Sequence, residues 1–127
     1  MNSAISATID HVDHISRCLS SAVEAGTVEE RSSILALRRD QESAIDALYD
    51  AVARALSRAP MQIRQELEPG FQDRFQTMRR AILLHQGKWP AVLIASDPEG
   101  FLASARRARE TKLDTIDWIR RELLPRL

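Results

Sequence analysis

The sequence predicts an all-α chain folded as an up-and-down four-helix bundle, with a hydrophobic helix–helix corner before the last helix. Three observations carry this. Apolar residues recur at three- and four-residue steps through four segments, the breaks between segments fall at glycine or proline, and no run alternates with the period of two that marks a strand. The 127 residues suit a single domain spanning 1–127.

The first helix is expected over Ser3 to Ala25. Ile5, Ile9, Val12, Leu19 and Val23 form one stripe, with Ser16 at the position where an apolar residue is missing. Gly26 suits the left-handed turn that ends a helix, and Thr27 with Glu30 reads as a capping box for the next. The second helix then runs from Val28 to about Arg58 on the stripe Ile34, Leu37, Ile45, Leu48, Val52 and Leu56, and Pro60 ends it. A short helical turn is expected over Met61 to Leu67. Pro69 is then placed in the first turn of a third helix carrying Phe71, Phe75, Met78, Ile82 and His85, which Gly87 stops. "SDPEG" opens the last helix, with Ser96 or Asp97 as cap, Pro98 in the first turn and Glu99 complementing the helix dipole. Its stripe continues from Phe101 through Ala105, Ala108, Ile116, Ile119 and Leu123 to Pro125.

Composition excludes several functions. Formal net charge is zero, so no overall field draws nucleic acid or an anionic membrane surface, and neither is expected as a partner. The longest uncharged apolar run, Trp89 to Ala95, is far short of the roughly 20 residues a membrane helix needs. The single Cys18 has no internal disulfide partner, and "MNSAISATIDHVDHISR" lacks the basic start and apolar core of a signal peptide; both suggest the cytoplasm. Gly-rich phosphate loops, Gly-x-Ser-x-Gly, His-Glu-x-x-His and Glu-x-x-His are absent, so no cofactor and no enzymatic activity are expected.

Three groups of residues invite chemistry. In "DHVDHISRC", His11, His14 and Cys18 share one helix face and are types that bind zinc, although the boundary between core and solvent is the plainer reading of that face. In "HQGKW", His85 stands near a lysine and a glycine, as in histidine-phosphotransfer domains, but the order differs and Trp89-Pro90 breaks the helix that such a domain continues. A packed histidine bonded to a backbone carbonyl is the favoured reading. Arg38, Gln41 and Lys112 are polar residues inside apolar stripes. If the first two helices form a hairpin about Gly26, Arg38 and Gln41 lie level with His14 and His11. Snorkelling of Arg38 and Lys112 ranks first, a register-fixing polar layer second and a ligand pocket third.

Partner contacts are expected at two places. Leu84, Trp89, Val92, Leu93 and Ile94 crowd the corner before the last helix, where a hydrophobic plug is favoured over an exposed patch. Trp118 lies on the polar face of the last helix with Arg107, Thr111, Asp114 and Arg121, and tryptophan is enriched in binding hot spots. The occupant is expected to be a helical segment of another protein or a second copy in a homodimer. The alternative is a ligand- or metal-responsive bundle using His11, His14 and Cys18 with Arg38 and Gln41.

The run "AVEAGTVEERSSILALRRDQESAIDAL" and the preceding Leu19 resemble the start of small helical flagellar export chaperones, through Leu19, Gly26, Glu30, Leu37, Arg38 or Arg39, Ile45 and Leu48. This resemblance, over about 30 residues, implies a cytoplasmic non-enzyme that shields a helical segment of a secretion substrate.

Overall fold

The computed structural model describes residues 2–25 and 32–127, and every regular element among them is helical. Helix α1 spans Ser3–Ala25, α2 Ile34–Arg58, α3 Met61–Lys88, α4 Ala91–Ile94 and α5 Pro98–Trp118. The chain then continues as a π-turn, Ile119–Leu123, and a 3-10 turn, Leu124–Arg126. Among the described residues no helix is long and apolar enough to cross a membrane.

The expected stripes form the core. Ile5, Ile9, Val12 and Val23 of α1 are buried, with Ile15 joining them, and Ser16 is buried where the stripe is interrupted. Ile45, Leu48, Val52 and Leu56 of α2 meet Phe71, Phe75 and Met78 of α3. There Tyr49 stacks on Phe71 at 5.3 Å and meets Phe75 edge-on at 5.2 Å, while its hydroxyl accepts from Gln72 Nε2 at 3.0 Å. Arg79 covers this cluster, 5.0 Å from the rings of both Tyr49 and Phe75, and its Nη2 donates to Asp46 Oδ1 at 2.7 Å.

The Gly26 turn and the Thr27–Glu30 capping box, with the start predicted at Val28, lie outside the described residues. Two other boundaries differ from expectation. Instead of a short turn and a new helix at Pro69, α3 is continuous from Met61 to Lys88 with Pro69 inside it. Proline removes only its own N–H. Pro69 is exposed, so water can satisfy the abandoned carbonyl, while Leu67 and Phe71 on either side are buried and hold the helix together. Gly87 does not stop α3 either: the stop is Trp89 (φ −123°, ψ 65°), driven from the α region by the ring of Pro90 behind it.

The start of α5 follows the predicted signal. Asp97 is the cap, its Oδ1 accepting from Gly100 N at 3.0 Å, with Pro98 and Glu99 in the first turn. A Cβ on Gly100 would lie 3.0 Å from the Trp89 ring and run into the Asp97 carboxylate, so this glycine is required by close approach.

The apolar interior falls into two clusters; α1, α2 and α5 contribute to both, while α3 reaches the smaller one only through Trp89, the residue that follows it. The larger takes residues 5–15 of α1, 44–56 of α2, 67–78 of α3 and 116–123 near the C-terminus. The smaller gathers Ala22, Val23, Ile34, Trp89, Ile94 and Phe101. In sequence, the boundary on every helix is polar: Ser16 on α1, Arg38 and Gln41 on α2, His85 on α3, Ser104 and Lys112 on α5. A polar layer therefore crosses the domain.

Pro69 lacks the hydrogen bond that an ordinary helical residue makes, at a cost of about 3 kcal/mol in a helix interior. Pro69→Ala is accordingly expected to raise the urea unfolding midpoint by the equivalent of about 1–3 kcal/mol. A lowered midpoint would mean that the ring contributes packing that outweighs this backbone cost.

Candidate functional site

The polar layer surrounds a cavity of about 50 Å³. Arg38 and Gln41 stand one turn apart on α2 and face inward because their neighbours Ile34, Ala44, Ile45 and Leu48 on the same stripe are core residues. Lys112 occupies the equivalent inward position on α5. Its Nζ donates to Gln41 Oε1 at 2.6 Å, which ties α2 to α5 across the interior. Lys112 is only 4% exposed and Arg38 only 9%, with Arg38 Nη2 among the buried atoms: the snorkelling expected for both is corrected to burial. Both stripes are apolar above and below these positions, and packing of those neighbours draws the polar heads inside. Arg38 and Gln41 line the cavity with Ser16 and Ser20, whereas His14 and His11 are exposed.

Electrostatically the cavity is cationic. Arg38, Arg106, Arg109 and Lys112 line it against one carboxylate, Glu24, and both oxygens of that group accept from Arg106 at 2.9 Å. Arg38 Nη2 and Ser16 Oγ are buried without a hydrogen-bond partner among the described residues. Desolvation, then the charge of Arg109, lowers the Lys112 pKa to about 8, partly opposed by Asp13, and desolvation lowers that of Arg38.

His85 closes the α3 side of the cavity. It is half-buried, stacks on Phe101 at 5.7 Å, and its Nδ1 shares a 2.7 Å hydrogen bond with Ser104 Oγ, a side-chain hydroxyl rather than the expected backbone carbonyl. Desolvation, followed by the charges of Arg38 and Arg107, lowers its pKa to about 4, so at neutral pH it is an uncharged packing residue. A phosphotransfer histidine must stand clear on a helix surface, and His85 is packed against α5.

The metal face does not assemble. Cys18 Sγ lies 3.8 Å from His14 Nε2, but His11 is seven residues from Cys18, about 10 Å along the axis, and no group of three potential ligands forms among the described residues. Three positions on one straight helix cannot converge on an ion without a second segment, and none comes.

The partner candidates divide sharply. Trp89 and Ile94 are core residues of the smaller cluster, packed with Phe101, which corrects them as contact residues. Leu84 is 68% exposed, Val92 81% and Leu93 44%; Leu83, like Leu84, is 68% exposed. Trp118 is half-buried. Its ring lies over Gly70 of α3, where an added Cβ would come within 3.0 Å, and Arg74 sits 5.0 Å from the ring centroid. The glycine opposite this tryptophan was the missed signal in the sequence: it leaves a flat place for an indole on an otherwise polar face.

No protein-family model, curated protein or solved structure matches this chain.

Two measurements check the layer. For His85, the folded pKa lies below the ordinary histidine value, so between pH 6.5 and about 4 the unfolded chain takes up a proton that the folded chain refuses. Its contribution is therefore constant above pH 6.5 and is lost as pH falls toward 4; the urea midpoint is expected to drop in that window less steeply in His85→Gln than in the parent. For Lys112, removing the ammonium relieves desolvation but leaves Gln41 Oε1 unpartnered, at about 1–3 kcal/mol. Lys112→Met alone should thus be near neutral, and Lys112→Met with Gln41→Leu should stabilise by about 1–3 kcal/mol.

Proposed function

We propose that this chain is a cytoplasmic, non-enzymatic protein-binding module, an up-and-down four-helix bundle that takes an amphipathic helix of a partner protein at the corner between α3 and α5. The bundle topology is supported by cross-helix pairs whose numbers fall on one helix as they rise on the next. On α2 and α3 these are Asp46 with Arg79 and Tyr49 with Gln72; on α3 and α5, Gly70 with Trp118 and His85 with Ser104; on α1 and α5 with its π-turn continuation, Asp13 with Arg120 and Glu24 with Arg106. The lone cysteine supports a reducing compartment.

The observation that carries the binding reading is the exposure of Leu83, Leu84, Val92 and Leu93, four large apolar side chains within eleven residues. Leu84 borders a groove between α3 and α5 with Lys88 and Arg107 among its lining residues. Those cations select the occupant: a helix with acidic residues flanking its apolar face complements them, whereas a second copy would bring like charges together. A chaperone or adaptor role agrees with the resemblance to flagellar export chaperones. Of the residues carrying that resemblance on α2, Arg38, Ile45 and Leu48 are interior, Leu37 is half-buried and Arg39 exposed, and the proposed partner contact is placed at the corner.

Full burial of a leucine side chain is worth about 1.5–3 kcal/mol, or roughly ten- to a hundredfold in affinity. Fluorescence anisotropy with two labelled amphipathic helical peptides, identical on the apolar face and carrying Glu or Lys beside it, tests the reading. The acidic peptide is expected to bind, to weaken at least tenfold with Leu84→Ser, and to lose its advantage over the basic peptide with Lys88→Glu. Binding of neither peptide, together with a sedimentation-detected dimer that Leu84→Ser dissolves, would make a second copy the occupant and overturn the proposal.

A further inference from the structure

The cavity at the polar layer is distinct from the docking groove, with which it shares only His85 and Ala108. A charged side chain withdrawn from water normally has a counter-charge beside it, because the uncompensated desolvation cost is several kcal/mol. Arg38 is more than nine-tenths buried, its Nη2 faces no acceptor, and the single carboxylate lining the cavity is already held by Arg106 through two hydrogen bonds. Lys112, also more than nine-tenths buried, has a neutral partner, Gln41. Asp13, the acid that acts on Lys112 from α1, is itself taken by Arg120. Ser16 Oγ adds a third polar group without a partner. Among the described residues, two cations and a hydroxyl thus line a space whose one carboxylate is already engaged.

We infer that this cavity binds a small organic carboxylate, its two oxygens received by Arg38 Nη2 and Ser16 Oγ with the Lys112 ammonium beside them, and its short apolar chain against Leu19, Val23, Ile34 and Phe101. The wall decides between a carboxylate and inorganic phosphate. Those four side chains offer no donor, so phosphate would hold oxygens against hydrocarbon, whereas a carboxylate presents oxygens on one side only. The space of about 50 Å³, against about 10–15 Å³ for one water, suits a carboxylate with a few carbons.

The test uses the full chain with acetate, butyrate and hexanoate, and with butyramide, inorganic phosphate and chloride at equal ionic strength. Titration calorimetry and thermal unfolding are read in parallel. Butyrate is expected to bind saturably and raise the unfolding temperature, with butyramide, phosphate and chloride at least tenfold weaker. Arg38→Met, which retains the side chain's apolar bulk, is expected to fold and to weaken butyrate at least tenfold; Lys112→Met provides the same reading should Arg38→Met not fold. Equal responses to butyrate and butyramide, equal responses to butyrate and phosphate, or unchanged butyrate binding in a folded Arg38→Met or Lys112→Met chain would each overturn the inference. Peptide binding at Leu84 is measured separately, so failure of one proposal leaves the other standing.

Discussion

The bond from Lys112 to Gln41 is the constraint around which the interior is arranged. A buried ammonium tolerates few positions, and this one has its 2.6 Å bond to an amide oxygen only when α2 and α5 meet at one register. Sliding either helix by a turn would leave both groups buried and unpaired, at a cost comparable to a large part of a small domain's stability. A purely apolar seam penalises such a slide much less, since leucine and isoleucine exchange places at modest cost. The polar layer therefore acts on specificity of arrangement more than on stability, the role that buried polar groups fill at single positions of helical assemblies.

The layer also makes the two halves of the interior unlike. On one side the Tyr49, Phe71 and Phe75 rings, with Leu48, Ile116, Ile119 and Leu123, form the larger apolar cluster. On the other, six buried residues hold the end where α3 stops at Trp89-Pro90 and α5 begins at Asp97. That end has few core residues and several leucines and valines outside. Trp89 and Phe101 close it, and Val92 and Leu93 remain in water, because four residues of α4 cannot turn all their apolar side chains to one side. Lys88 and Arg107 line the groove beside Leu84 between α3 and α5.

A long chain of surface ion pairs accompanies the helices: Asp13 with Arg120, Glu24 with Arg106, Asp46 with Arg79 and Glu66 with Arg126. Each is solvent-exposed, so screening and side-chain entropy leave it a minor contributor to stability. Their consistent direction along neighbouring helices nonetheless agrees with one helix order, and wrong orders would set several like charges together.

Much of this was legible from the residues alone. Periodicity located the core faces of all four long helices, and Asp97-Pro98-Glu99 located the start of the last, because stripes and caps depend on residues within a turn or two of each other. Pro69 and Gly87 misled because each has a local preference to interrupt a helix; burial of Leu67, Phe71 and Phe75 holds the helix through Pro69, and α3 runs past Gly87 to stop only where Pro90 forces Trp89 out of the α region. Arg38, Gln41 and Lys112 were visible as polar intrusions, but whether their heads reached water depends on side-chain neighbours 71 residues away in sequence, as Gln41 and Lys112 are. Trp118 was visible as an indole on a polar face, and its resting place over Gly70 was not. The sequence by itself determined the helical class and the inward face of each helix, since those follow from local spacing. Only the tertiary structure decided which buried polar groups meet and which stay unpaired, because pairing is a property of the register between helices.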